Sequence, residues 1–470
     1  MLCSILSKVK KQKSLQHLKI AHSYIITSGF LNDEIVLSEL IQSAAVFGAD
    51  YPLKIISGEG VFYWNVFIRA ASASRNPNDS FKAFTLMLRR GNRPDHLTYP
   101  FLIRAAARLT KKELGAAVHS LLLRNGLVVD LFISNAIIHM YGSCGDIANA
   151  REVFDKMPLR NVVTWNSLLD SYAKSGDMES ARITFEEMPR RDIVSWSSLM
   201  DGYVKRKDAC SAIAIFEKLL ENGPPPNVVS MVSAVRACGM VGDIEKGRTM
   251  HRYIMESGMG VSLQLRTSLI DMYSKCGDMD EAVAVFRASE TADVLMWNAV
   301  IGGLASHGFV AEALQMYGEM MRSVEPDDIT YLSLLSACGH AGMVEEARGV
   351  FGRIKEPKKE HYACWVSVMA RAGEVAEALE VVRGMGEGVS ASMLGAVMSG
   401  CVRYGEMKIG EEVGKMVIEL DPGHDGRYVG LANVYADFSR WDDVDCLRKN
   451  MERRGVKKSV GFSRTCTPLL

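Results

Sequence analysis

A residue with almost no side chain returns at the twentieth place of a repeat 31 to 35 residues long: Ser80, Gly115, Ala150, Ala181, Ala212, Gly247, Ala282, Ala313, Ala347 and Ala378. In most of these units a glycine stands five places earlier, at Gly145, Gly176, Gly242, Gly277, Gly308, Gly342 and Gly373. A period of this length defines a stack of similar units, each burying its apolar face only against its neighbours. It excludes a single globular enzyme over most of the chain. It also places function in residues that recur with the period.

The unit 162–192, VVTWNSLLDSYAKSGDMESARITFEEMPRRD, shows what each copy folds into. Trp165, Leu168, Leu169 and Tyr172 are spaced by threes and fours, which predicts an amphipathic helix. Gly176 supplies a left-handed C-cap, and Asp177 caps a second helix that carries Ala181, Ile183, Phe185 and Met188 and stops at Pro189. Ala181 is small because the two antiparallel helices approach closely there, and a large side chain would wedge them apart at a cost of ~1–3 kcal/mol.

The same register gives units 61–95, 96–130, 131–161, 162–192, 193–227, 228–262, 263–293, 294–327, 328–358 and 359–390, a patterned alternation of long and short copies. Residues 34–60 read as a degenerate copy, and 1–33 as an N-terminal segment with part of another. The first 32 residues hold no Asp or Glu but include Lys8, Lys10, Lys11, Lys13 and Lys19. That composition fits either a short organellar presequence or a basic first helix.

Lys plus Arg and Asp plus Glu both number 55, so bulk charge announces no nucleic-acid partner and any basic stripe must be local. No apolar run reaches the ~18 residues that cross a bilayer. Among ten cysteines, Cys238, Cys338 and Cys401 take the eleventh place of their units and Cys144 and Cys276 the fourteenth. A cysteine in helical register reads as a small buried hydrophobe in a reducing compartment. No C-x-x-C pair is present to hold a structural zinc.

The units begin with V-x-W-N or a variant and often end in Pro-Asp or Arg-Asp. In this the chain resembles the pentatricopeptide repeat (PPR) proteins of plant organelles, and its alternation of lengths resembles the subclass built from P, L and S motifs. EHYACWVSVMARAG from Glu360, GAVMSGCVRYGEMKIGE from Gly395 and YVGLANVYADFSRWDDV from Tyr428 look like the last S repeat and the E motifs of that subclass. RRGVKKSVGFS from Arg453 resembles the lead into a deaminase-like domain, while SRTCTPLL departs from the usual continuation and leaves 461–470 as a divergent tail. The resemblance implies an all-α, right-handed α-solenoid of about eleven to thirteen helical hairpins, ten of them in 61–390, with E motifs in 391–460 that dock a partner.

It further implies that the fifth and last residues of a unit choose one RNA base while the second packs on its face. A terminal Asp accepts from the ring N–H of U or G, and a terminal Asn donates to the ring nitrogen of C or A. On that basis Asn65 with Asp95, Asn166 with Asp192, and Asn298 with Asp327 resemble pairs for U. Asn135 with Asn161 suggests a pyrimidine, Ser197 with Asn227 suggests A, and Thr267 with Asp293 suggests G. Phe62, Phe132, Val163, Val194 and Leu295 are the base-stacking residues, with Gln264 an exception. The units that resemble the L motif depart from the pattern, with Pro100 and Asp130, Val232 and Ser262, and Leu332 at the deciding places. Spacing alone leaves a purely structural reading open, in which the Asn bonds its own helix and the Asp caps the next.

No catalytic signature is present. None of the ten histidines begins an H-x-E, the P-C-x-x-C of a zinc deaminase is missing, and there is neither a phosphate loop nor a nucleophile elbow. His119 and Ser120 read as surface-helix residues. The chain is thus expected to be no enzyme and to need no cofactor. The expected partners are single-stranded organellar RNA and a trans-acting deaminase-domain PPR protein or other editing factor. Its home would be the mitochondrion, with the chloroplast as the alternative. Splicing or transcript stability, and a protein-binding scaffold, are the competing functions.

Overall fold

The computed structural model describes residues 14–30, 33–56, 60–126 and 130–457, and among these every regular element is helical. The lysines at positions 8 to 13 and the tail 461–470 lie outside the described residues. Two compact bodies are present, Met1–Ala237 and Cys238–Leu470. In the first, helices Leu15–Thr27 and Glu34–Ala44 precede the hairpins Val61–Ala73 with Asn78–Arg89, Thr98–Leu109 with Lys112–Arg124, and Leu131–Ser143 with Ile147–Lys156. Val162–Ser175 with Met178–Glu187 and Ile193–Lys205 with Ala209–Asn222 follow. In the second body the hairpins include Leu263–Lys275 with Met279–Arg287, Val294–Ser306 with Val310–Met320, and Asp328–Ala341 with Val344–Phe351. Lys359–Ala372 with Val375–Gly384, Ala391–Tyr404 with Met407–Leu420, and Asp425–Asp437 with Trp441–Arg453 complete it.

Local chemistry makes the hairpins. Gly176 closes its helix at φ 85°, where a glycine carries no steric penalty, and Asp177 then accepts the backbone N–H of Ser180 at 3.1 Å. Asp146, Asp208, Asp243 and Asp278 cap four more second helices in the same way. In the long unit 96–130 the first helix starts only at Thr98, and Pro100 is tolerated because it falls in the first turn, where its missing N–H costs nothing.

Between hairpins the core is aromatic. Phe154 meets Trp165 edge to face at 4.8 Å, Phe185 meets Trp196 at 4.8 Å, and Phe286 meets Trp297 at 4.6 Å. In units 96–130 and 228–262 a histidine takes the phenylalanine's place. His119 Nδ1 lies 3.0 Å from the Tyr141 hydroxyl and His251 Nδ1 2.9 Å from that of Tyr273. His119 is therefore half-buried against the next hairpin, which corrects its reading as a surface residue; Ser120 is exposed as expected.

The small residues at the twentieth place are buried, but the close neighbour is not always the partner helix of the same hairpin. A Cβ on Gly115 would fall 2.1 Å from Met140 Sδ, and one on Gly247 2.4 Å from Met272 Sδ, both on the first helix of the following unit. Ile183 is exposed, because it lies on the side of the helix opposite to the buried Ala181, Thr184, Phe185 and Met188. The eleventh-place cysteines Cys238, Cys338 and Cys401 are fully buried, whereas Cys144 and Cys276 are only half so. Burial pushes the thiols of Cys338 and Cys401 up to about 11, which keeps them protonated and unreactive.

Candidate nucleic-acid interface

The three Asn–Asp pairs converge on one geometry. Asn166 Nδ2 donates to Asp192 Oδ1 at 3.0 Å, across the step from one hairpin to the next. Asn298 Nδ2 does the same to Asp327 Oδ1 at 2.9 Å, and Asn65 Nδ2 reaches Asp95 Oδ1 and Oδ2 at 2.9 and 3.1 Å. Each Asp also leads into the next first helix, Asp192 and Asp327 as its N-cap and Asp95 three residues ahead of Thr98. Asp192 Oδ1 accepts the backbone N–H of Ser195 at 3.0 Å, and Asp95 and Asp327 accept those of Thr98 and Thr330, also at 3.0 Å. The structural role and the pairing thus coexist in one carboxylate.

A third residue, which pairing by fifth and last place misses, ties the two together. The hydroxyl of Ser195 donates to Asn166 Oδ1 at 2.7 Å and lies 2.9 Å from Asp192 Oδ1. Thr98 sits 2.7 Å from Asn65 Oδ1, and Thr330 sits 2.5 Å from Asn298 Oδ1. With its oxygen turned to the hydroxyl and its NH2 turned to the carboxylate, the amide has one orientation that satisfies both. These bonds use Oδ1 of Asp192 and Asp327 and leave Oδ2 outside the network. The sequence signal was a Ser or Thr at the third place of the following unit.

Burial tends to raise the Asp95, Asp192 and Asp327 carboxyls. The Asn amide, the hydroxyl and the backbone donors outweigh it and hold all three below the ordinary aspartate value. Each is an ionised acceptor at neutral pH, and Oδ2 of Asp192 and Asp327 can take an N–H such as the ring N–H of uracil.

The remaining predicted pairs are looser. Ser197 Oγ donates to the Ile193 carbonyl at 2.7 Å and only marginally to Asn227 Oδ1 at 3.4 Å. Thr267 bonds the Leu263 carbonyl, and Asp293 accepts the Met296 N–H at 2.9 Å; no hydrogen bond joins Thr267 to Asp293. Asn161 accepts from the Thr164 hydroxyl, while Asn135 Oδ1 is buried without a hydrogen-bond partner.

Beside these groups stand apolar side chains that the core does not use. Phe62 is 53% exposed, Phe132 67%, Val163 56%, Val194 50% and Leu295 62%. Leu97, Val229 and Ile329, at the second place of units 96–130, 228–262 and 328–358, are exposed as well. Gln264, the polar exception, is also exposed. A flat apolar group at a helix start, one turn from an amide and a carboxylate, matches a base: a face to stack on and an edge to bond.

Comparison with known proteins decides the family. The PPR repeat family matches residues 160–193 and 292–340, the PPR repeat matches 132–162, 194–224, 266–290 and 329–356, and the E motif matches 404–465. A pentatricopeptide repeat-containing protein of Arabidopsis thaliana is 47% identical over 96% of this chain and 87% of its own length. The chain belongs to the pentatricopeptide repeat family. Repeats of alternating length followed by an E motif fit a PLS-class, E-subclass PPR protein. A second Arabidopsis PPR protein, named mitochondrial, is 31% identical over 98% of this chain and 84% of its own. A third, ELI1, named chloroplastic, is 40% identical over 86% of this chain and 64% of its own. Among solved structures, the PPR protein PPR10 in complex with an 18-nt psaJ RNA element matches with TM-score 0.50 and 16% identity, over 96% of this chain and 91% of that one. That likeness establishes the solenoid type of fold.

Proposed function

We propose that this PPR protein is a sequence-specific binder of single-stranded RNA that marks sites of organellar C-to-U editing and recruits a deaminase in trans. The observation that carries the RNA reading is the repeated set of Asn amide, Asp carboxylate and third-place hydroxyl beside an exposed apolar residue. A polar edge and an apolar face recurring in register, complete in three units, match a strand of bases, which presents both once per nucleotide, better than a protein-binding scaffold. The E motif favours editing over splicing or transcript stability. The absence of an H-x-E and a P-C-x-x-C from the sequence is the reason the deaminase comes from another chain, docked through residues 391–460. The names of two relatives support an organellar home, and the mitochondrion is the first choice with the chloroplast the alternative.

Read from N- to C-terminus along RNA 5′ to 3′, units 61–95 through 294–327 select U-N-Y-U-A-N-G-U just upstream of the edited cytidine. Selection from a randomised RNA pool is expected to enrich that pattern, and enrichment of an unrelated motif or of duplex RNA would sink it. Organellar transcripts from a line lacking the protein should lose C-to-U conversion downstream of a matching sequence. Unchanged editing together with a splicing defect would move the function to the competing class.

A further inference from the structure

On the first helices, places 2, 5, 9 and 13 share one face, since steps of three and four residues return to the same side. The reading residues therefore share a face with places 9 and 13, and in three units those places form a neutral pair. Lys174 binds Asp170, Lys205 binds Asp201 and Lys275 binds Asp271, each at 2.6 Å. Toward the C-terminus the pattern changes. Place 9 becomes Ser336, Ser367 and Ser399, and place 13 becomes His340, Arg371 and Arg403. The basic side chains stay while the acids that would neutralise them are gone.

These three residues meet at one cleft of about 480 Å³, whose other lining residues, Gly339, Gly342, Val344, Val368 and Ala372, are small or apolar. His340, Arg371 and Arg403 are exposed, and among the described residues lining the cleft there is no Asp or Glu. Neither arginine has an ion pair among the described residues, although most arginines on the second helices do, as Arg348 has with Glu374 and Arg383 with Glu412. Two unneutralised guanidinium groups at a cleft that holds no acidic side chain suit an oxyanion with several acceptors. Their place on the reading face argues for the strand already lying there.

We propose that the cleft between Asp328–Ala341 and Lys359–Ala372, edged by Arg403 of Ala391–Tyr404, binds phosphodiester groups of the RNA 3′ of the bases that are read. The first hairpin after the repeats then holds RNA as well as lying in the partner-docking region, and it fixes the strand's course toward the target cytidine. This rests on the RNA reading proposed above.

The test is binding by the full-length chain, as a function of salt, to two single-stranded RNAs. One carries the recognition sequence alone and the other adds a 3′ run of uridines. For the extended RNA, R371Q/R403Q should flatten the slope of log K against log salt by about 0.7 for each phosphate no longer neutralised. The variant should match the parent on the unextended RNA, and R371K/R403K should keep most of the slope. Equal slopes for parent and Gln variant on the extended RNA would overturn the proposal, as would an equal flattening on both RNAs, which would place the phosphate site elsewhere. If the parent itself fails to prefer the recognition sequence over a shuffled one, the RNA reading falls, and this inference with it. Both arginines are exposed and lack ion pairs within the described residues, so matched helical content and melting of parent and variants check that folding is not the cause.

Discussion

At Ser195 one hydroxyl serves two acceptors, and removing it separates packing from reading. Ser195→Ala leaves Asn166 Oδ1 buried without its donor, which costs ~1 kcal/mol, and frees the amide to turn. The preference for U at the base read by Asn166 and Asp192 is then expected to fall about fivefold, while Ser195→Thr keeps it, as Thr98 and Thr330 do in their own units. Pool selection with both variants checks this, and an Ala variant that reads U as sharply as the parent would remove the hydroxyl from the site. Asp293 supplies the complementary case, because it caps Val294–Ser306 yet makes no bond to Thr267. Asn caps as well as Asp, so Asp293→Asn should leave melting unchanged while moving that position from G to A by ~1–3 kcal/mol. Uniform weakening on all RNAs would instead make Asp293 a cap and nothing more. The pairs were legible in the sequence because each recurs at a fixed place in its unit. The hydroxyl was not, because its significance depends on which side chain of the previous hairpin it faces.

Element packing obeys a second rule that the period hides. Where first helices of successive hairpins touch, the tenth and twelfth places meet and at least one of them is small. Gly142 lies against Ser171, Gly303 against Ser274 and Gly400 against Ala370. The repeat made the helices, their caps and the twentieth-place residues visible, since those depend on neighbours a few residues away. It assigned the small residue to contact within a hairpin, while Gly115 and Gly247 make room for a methionine from the next one. Contacts between hairpins are set by how far each rotates against its neighbour, and no single unit encodes that. A Cβ on Gly142 would fall 1.9 Å from Ser171 Oγ, 2.5 Å from its Cβ and 3.0 Å from its Cα. Gly142→Ala is therefore expected to destabilise by ~1–3 kcal/mol despite the better helix propensity of alanine. Gly318, also inside a helix, has nothing within 4 Å of an added Cβ, so Gly318→Ala should be neutral or stabilising by up to ~1 kcal/mol. Denaturant melts of the two variants decide it, and equal behaviour would mean that propensity outweighs the close approach.

For the molecule as a whole, the packed helix pairs within each body lie one or two elements apart along the chain. Stability in such a stack is a sum of hairpin terms and nearest-neighbour interfaces, so damage should stay local. Gly400 tests this well, because an added Cβ would stand 2.6 Å from the carbonyl oxygen of Ala370 and 3.2 Å from its carbon. Backbone cannot swing aside as a methionine side chain can, so Gly400→Ala must push Ala391–Tyr404 away from Lys359–Ala372. Amide hydrogen exchange is expected to quicken in those two helices and in their partners Val375–Gly384 and Met407–Leu420. Val61–Ala73 and Asn78–Arg89 should exchange as in the parent. RNA selection by the units up to 294–327 should likewise keep its pattern, because the groups that read bases there do not pack on the altered interface. If every helix instead exchanges faster by the same factor, the array unfolds as one cooperative whole. The local economy that lets each hairpin read its own base would then be absent from its energetics.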